Sequence, residues 1–258
     1  MLAQVLVSDI FVFMLVFARV GTAFLLLPGF GAAYVSRRVR LGLAVAVAVV
    51  LVPTLAKVMP PLPDSPIVLV LLLGGEVVVG AFLGTVANLL AQSLQTAGMI
   101  ISYQSGLANA TMFNPTMGQQ TSLIGTLLST MGVLLIFVTD LHHMILRALV
   151  DSYQLFTPGA AMAVGDFSEL IARTVAHSFR LAFQLATPFV VFGLLFYVGV
   201  GLMARLMPQL QVFFIALPLQ IGLMLLLLGL SISAMMIWFL NGFEDFLGGM
   251  LVPPSTAG

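Results

Sequence analysis

The sequence contains no cysteine and very little charge. Only 7% of its 258 residues are Asp, Glu, Lys or Arg, and nine basic residues balance nine acidic ones. Without cysteine there can be no disulfide, thiolate metal site or cysteine nucleophile. Without net positive charge there is no broad electrostatic surface for nucleic-acid phosphates. Because soluble domains carry about 25% charged residues, this composition excludes a water-soluble enzyme, a disordered regulator and a nucleic-acid-binding protein.

Apolar residues fill the chain instead, at 61% of the total. A membrane-spanning helix needs about 20 mainly apolar residues. Runs of consecutive Leu and Val lack the two-residue alternation of a membrane barrel. The sequence therefore predicts an all-α membrane protein, with residues 1–258 forming a single integral membrane subunit. We count six apolar segments, at residues 10–27, 41–59, 67–90, 123–139, 181–204 and 212–240.

Two charges, Arg19 and Glu76, lie within these apolar segments. A charge inside a span costs a few kcal/mol on insertion scales, so it is expected to be functional or paired. A proton or ion relay is one interpretation; a buried Arg–Glu contact, within the chain or between subunits, is the other. The pair is favoured because a single acid with no neighbouring acid or histidine makes a poor relay. Near Glu76, Gly80 and Gly84 form a GxxxG pattern, which predicts close helix packing.

No catalytic motif is present: the sequence has no G-x-S-x-G, H-E-x-x-H or phosphate-binding loop. Asp140, His142 and His143 form a short cluster, but metal ligands on a helix normally lie three or four residues apart. Adjacent helical residues point about 100° apart, so solvated histidines are favoured over a metal site. The sequence predicts neither catalysis nor a cofactor or metal.

The most informative segment is residues 106–120, GLANATMFNPTMGQQ, which is polar but uncharged. Polar irregular backbone beside membrane spans is tolerated only when it is buried in protein or lines a water-filled cavity. Composition alone leaves two readings: a soft plug, since Met fills irregular gaps, or an external loop. The candidate plug residues are Gly106, Asn109, Met112, Phe113, Asn114, Pro115, Met117, Gly118 and Gln119.

Four sequence blocks, taken together, resemble a known family. In chain order they read FARVGTAFLLLPGFGAAYVSRRVRLGLAVAVAVVLVP, GEVVVGAFLG, QTAGMIISYQSGLANATMFNPTMGQQTS and ARLMPQLQVFFIALPLQIGLMLLLLGLS. Each block is moderately specific, but their order and spacing are similar to the FliR family of flagellar biosynthetic proteins. Export-apparatus proteins of injectisomes are related to the same family.

The resemblance implies a non-enzymatic pore subunit of the type III flagellar protein-export gate, in the bacterial inner membrane at the flagellar basal body. FliP-like and FliQ-like subunits are the implied partners, with FlhB-like and FlhA-like export components. Unfolded flagellar proteins would pass through the pore. The family's kinked helical hairpins form a helical assembly, so apolar surface would face sister chains as well as membrane lipid.

The resemblance also implies roles for particular segments. Residues 106–120 correspond to the plug, and Arg19 and Glu76 to polar contacts between helices or subunits. Residues 204–240 resemble FliQ, which places their turn in the cytoplasm: Arg205, Pro208, Gln209 and Gln211. An injectisome counterpart is the alternative. A small-molecule or proton-coupled carrier is a weaker one, because we find no inverted repeat of the kind common in carriers.

Overall fold

The computed structural model describes residues 2–107, 122–160, 164–207 and 212–251. Within these ranges the chain is helical and contains no strand, which confirms the all-α prediction. The described part has seven helices: α1 (Leu2–Leu26), α2 (Arg37–Leu55), α3 (Pro66–Gln104), α4 (Leu123–Val138), α5 (Leu141–Leu155), α6 (Val164–Leu206) and α7 (Val212–Leu251).

Five of these helices are long and apolar enough to cross a membrane, and α4 with α5 forms a sixth candidate. Helices α4 and α5 are bent by 75° relative to each other at a short break. The count agrees with the six predicted segments, and the bent pair agrees with the predicted kink. By length and composition, the described chain thus offers five or six spans.

The residues at the starts of α2 and α3 favour helix initiation there. Ser36 precedes α2 and accepts a hydrogen bond from the Val39 backbone N–H, which satisfies one of the unpaired donors at a helix start. Residues 60–66, PPLPDSP, separate α2 from α3. Pro66 is the first residue of α3, where proline's missing N–H costs nothing.

Three helices extend furthest beyond the apolar segments predicted from hydropathy. α3 has 39 residues, α6 has 43 and α7 has 40. Hydropathy detects only the apolar part of a helix, whereas backbone hydrogen bonding continues through polar residues. In the second half of α3, for example, the Thr96 hydroxyl donates to the Gln92 carbonyl one turn earlier. Such polar residues remain helical although they end the hydropathy signal.

The described chain forms two compact units, each with its own core. The first comprises Met1–Leu90, Ile136–Val175 and Glu244–Gly258, and the second comprises Ala91–Leu135 and Ala176–Phe243. Fully buried side chains in the first unit include Leu15, Val20, Phe24, Val86 and Tyr153. Those in the second include Leu94, Ile101, Leu128, Phe189 and Phe239. Whether the chain functions as one integral subunit stays a prediction.

Candidate functional site

The structure brings Arg19 of α1 and Glu76 of α3 together inside the first unit. Arg19 Nε donates to Glu76 Oε2 at 2.7 Å, and an Arg19 terminal nitrogen donates to Glu76 Oε1 at 3.1 Å. Arg19 is 0% exposed and Glu76 is 3% exposed. This is the two-bond arrangement in which a planar guanidinium matches a carboxylate. Two helices whose residues lie 57 positions apart are thereby joined.

The remaining contacts of Arg19 come from the end of α5. Its terminal nitrogens donate to the Ser152 hydroxyl at 3.0 Å and to the Phe156 carbonyl at 2.8 Å. The guanidinium carbon also lies 3.8 Å from the centre of the Tyr153 ring, within the range of a cation–π interaction. Arg19 therefore links α1, α3 and α5, using four of its five N–H donors on described groups.

This arrangement suits a fixed polar contact better than proton transfer. Arg19 is buried and donates hydrogen bonds to Glu76, Ser152 and Phe156. Removing one partner from a buried ion pair leaves an uncompensated charge and typically costs about 3–5 kcal/mol. The Arg19–Glu76 pair therefore fixes the relative register of the helices that it joins.

Glycine permits the close approach of α3 to α1 beside this pair. A Cβ atom built on Gly80 would collide with the Arg19 carbonyl oxygen and the Thr22 hydroxyl. One built on Gly84 would lie 2.8 Å from Leu26 Cβ and 2.9 Å from the Ala23 carbonyl oxygen. Both glycines of the GxxxG pattern thus lie at this helix contact.

The same face of α3 includes a residue whose role the sequence did not reveal. Asn88 donates from Nδ2 to the Leu26 carbonyl at 2.6 Å, at the end of α1. Its spacing was the signal that could have identified it. Four residues follow one another at intervals of four and so share one face of α3: Glu76, Gly80, Gly84 and Asn88.

An open cavity of about 370 Å³ lies next to the ion pair in the first unit. Its walls are mostly apolar and come from the start of α3, the end of α5 and the residues that follow. Arg19 and Glu76 provide its charged part, but they already bond to each other, and Arg19 also bonds to Ser152 and Phe156. The cavity therefore offers little unpaired charge to a polar ligand.

Hydroxyl groups join the two chain ends that flank the candidate plug. Ser102 Oγ and Ser122 Oγ lie 2.6 Å apart, and Ser122 Oγ also donates to the Gly98 carbonyl at 3.0 Å. A Cβ on Gly98 would collide with the backbone of Gly125, so α3 and α4 approach closely here. The ends of the intervening segment are consequently held side by side in the second unit.

Only the first two residues of the predicted plug segment fall within the described chain. Gly106 has φ +77°, a left-handed backbone that glycine adopts readily, and Leu107 follows it. The other candidate plug residues lie outside the described residues: Asn109, Met112, Phe113, Asn114, Pro115, Met117, Gly118 and Gln119. Their role in a pore stays a prediction.

The predicted cytoplasmic turn is also only partly described. Arg205 lies in the last turn of α6 and is exposed, where a positive charge interacts favourably with the helix dipole. Pro208, Gln209 and Gln211 lie outside the described residues. The side of the membrane on which this turn lies is untested.

The Asp140–His142–His143 cluster is closer in space than its sequence spacing predicts. One donor atom from each residue can be chosen so that all three lie within 4.8 Å of one another. The two imidazole ring centres are 4.1 Å apart, although adjacent side chains on a regular helix point apart.

The fold and these sites define a helical membrane protein whose intramembrane charges make internal contacts. Comparison with known proteins gives the particular family. A family model described as "Bacterial export proteins, family 1" matches residues 10–246, and the chain belongs to that family. The resemblance predicted from the four sequence blocks is confirmed.

Curated relatives include flagellar and injectisome proteins. The chain is 41% identical to the flagellar biosynthetic protein FliR of Caulobacter vibrioides over 238 residues, covering 89% of this chain and 92% of the relative. It is 33% identical to FliR of Bacillus subtilis over 242 residues, covering 92% and 93%. It is 28% identical to Yop proteins translocation protein T of Yersinia pestis over 242 residues, covering 92% and 91%. The family match and the apolar helices together identify the chain as an inner-membrane component of a bacterial type III export apparatus.

Proposed function

We propose that this chain is a non-enzymatic pore subunit of the flagellar type III protein-export gate. It assembles with FliP-like and FliQ-like subunits, contacts FlhA-like and FlhB-like components, and lets unfolded flagellar proteins cross the inner membrane. The observation that carries the proposal is the family match across residues 10–246, with flagellar relatives at 41% and 33% identity.

A structural rather than catalytic role is supported by the contacts of the buried charges. Arg19 and Glu76 bond to each other, and Arg19 also donates to the Ser152 hydroxyl of α5.

A conduit role is supported by the distribution of charge. Residues 91–139 contain no Asp, Glu, Lys or Arg, although they include the polar end of α3 and the candidate plug. Polypeptides of very different charge must pass an export pore. A polar surface without fixed charge hydrates such a chain without binding it strongly, because strong ion pairs would slow its release. We assign residues 106–120 as the plug that closes this pore between substrates.

Assembly with other chains is supported by apolar surface on α2. Only 17% of the residues in its candidate span are buried, and the outward side chains include Val39, Leu41, Val49 and Val50. Such a surface needs apolar neighbours outside the chain. Sister subunits and lipid together would supply them.

Ion leakage through the assembled gate tests the plug assignment. Replacing Met112, Phe113 and Met117 with serine removes the apolar groups of the plug while keeping the loop length. We expect membranes containing the gate to become permeable to small ions while the multi-chain particle still forms. The matched control is serine at Leu206, an exposed residue at the end of α6, which should leave the membrane tight.

Two results would contradict the plug assignment: an impermeable membrane with the triple variant in an assembled gate, or equal leakage with Leu206→Ser. The flagellar assignment has its own test, because the Yersinia relative leaves an injectisome role as the second candidate. Restoration of motility in a flagellated cell lacking its own FliR supports the flagellar role. Restored effector secretion without motility would favour the injectisome role.

A further inference from the structure

We propose that Asp140, His142 and His143 form a binding site for one divalent cation of the Zn²⁺ type at the junction of α4 and α5. The junction is the 75° break between these helices. It belongs to the first unit and lies apart in sequence from the candidate plug. The proposal is independent of the export function.

The Asp140 carboxylate does not cap α5, although Asp140 occupies the N-cap position of that helix. Asp140 has φ +60° and is the one non-glycine residue with positive φ in the described chain. It occupies the N-cap position of α5, where an aspartate normally accepts a backbone N–H. Its side chain makes no such bond. The carboxylate instead faces His143, with Oδ1 3.5 Å from Nδ1.

That distance fits two ligands of one ion better than a direct hydrogen bond. Good N–H···O hydrogen bonds measure about 2.7–3.2 Å. Two ligands bound at about 2.0–2.1 Å in tetrahedral geometry lie roughly 3.3–3.4 Å apart. The complete donor set lies within 4.8 Å. The Asp140 and His143 side chains are 76% and 69% exposed, so modest rotations can close the remaining gap.

His142 supplies the ordered part of the site. Its ring stacks on Phe137, with ring centres 5.1 Å apart, and lies against the His143 ring. Its Nδ1 atom is buried and has no hydrogen-bond partner among the described groups. An unsatisfied buried nitrogen is costly. Coordination of a cation by the imidazole would give this ring a polar partner.

The donor chemistry selects the class of ion. Two imidazoles and one carboxylate favour Zn²⁺, Co²⁺ or Ni²⁺, whereas Mg²⁺ and Ca²⁺ prefer all-oxygen sites. Three protein ligands leave a fourth position for water. The ion would hold Asp140 against the first turn of α5 and so fix the angle at which that helix leaves the bend.

Metal titration of the full chain in detergent, carrying an affinity tag without histidine, tests the proposal. We expect one Zn²⁺ per chain by calorimetry, and a Co²⁺ absorption spectrum typical of mixed nitrogen and oxygen ligation. Loss of even an outer-sphere partner weakens metal binding about 10–100-fold. We therefore expect His143→Gln and Asp140→Asn each to weaken binding at least about tenfold.

The chain provides a matched control, because its three histidines include His177 on α6. His177→Gln should bind Zn²⁺ as the unchanged protein does. The proposal is overturned if the unchanged chain shows no saturable binding, if both His143→Gln and Asp140→Asn bind normally, or if His177→Gln loses binding equally. Both test residues are exposed, and thermal melting without metal verifies that each variant is folded.

Discussion

Helices α1 and α2 contain apolar spans that are alike in sequence but differ in burial. The candidate spans, Ser8–Leu26 and Arg37–Leu55, each have 19 residues and mean hydropathies of 2.0 and 1.9. In the first, 44% of residues are buried within the chain, against 17% in the second. The two spans therefore have nearly equal hydropathy but differ in how much of each is buried within the chain.

Side-chain size along the buried faces explains part of this difference. α1 buries large residues such as Leu15 and Phe24 and also the charge of Arg19. α2 buries mainly Ala44, Ala48 and Leu55, while its larger side chains point outward. Hydropathy measures the cost of contact with water and does not identify the apolar neighbour. α1 packs a large part of its surface into its unit, whereas most of the α2 surface faces outward, toward lipid or partner chains.

The largest change in unfolding free energy is expected when the buried charge of α1 is removed. Removal of an exposed charge of α2 provides the comparison. Arg19→Ala leaves Glu76 buried without its counter-charge and should cost about 3–5 kcal/mol of unfolding free energy. Arg38→Ala, at an exposed position of α2, should change it by less than about 0.5 kcal/mol. Thermal or denaturant unfolding in detergent measures both.

A double variant separates loss of the pair from loss of volume. Arg19→Met with Glu76→Leu replaces both charges by apolar groups of similar size, and such replacements are often neutral or stabilising. The double variant should therefore be more stable than Arg19→Ala. If Arg19→Ala proved as harmless as Arg38→Ala, the structural importance of the pair would be refuted.

A smaller effect is expected from adding one methyl group where α3 contacts α1. Gly80→Ala places its Cβ against the Arg19 carbonyl and the Thr22 hydroxyl, and overpacking of this kind costs about 1–3 kcal/mol. On α2, Gly42 has nothing within 4 Å of the corresponding Cβ position. Gly42→Ala should leave the melting temperature unchanged or higher, since alanine favours helix. Equal destabilisation by both substitutions would contradict the difference in packing.

The smallest loss of stability is expected when a hydrogen bond at the end of α1 is removed. Asn88→Ala removes the hydrogen bond to the Leu26 carbonyl and should cost about 0.5–1.5 kcal/mol. Amide hydrogen exchange should then accelerate in the last turn of α1. Thr85→Ala is the matched control, because the Thr85 hydroxyl bonds within α3 to Ala81. Unchanged exchange in Asn88→Ala would exclude this role.

Much of the fold follows from hydropathy, because apolar runs of spanning length were sufficient to predict an all-α chain with about six segments. Helix ends were less predictable. α3 continues to Gln104 since its polar side chains find partners inside the protein, such as the Ser102–Ser122 contact. Such partners lie far along the chain and leave no local pattern.

The candidate site could be predicted only in part for the same reason. Arg19 and Glu76 were identifiable because charge is rare in apolar spans. The contacts of Arg19 with Ser152 and Phe156, 133 and 137 residues further along the chain, depend on tertiary packing. The closeness of Asp140 to the two histidines was not predicted, because regular helix geometry does not apply at Asp140, whose backbone is left-handed.

Photocrosslinking on α2 tests the proposal that partner subunits of the export gate, together with lipid, cover this helix. A photoreactive residue at Val50, which is 70% exposed, would be activated in cells that contain the complete apparatus. The same residue at the buried Ala48 position serves as the control and should react within the chain. We predict a covalent product between Val50 and a different export subunit. Products with lipid alone at Val50 would contradict the claim.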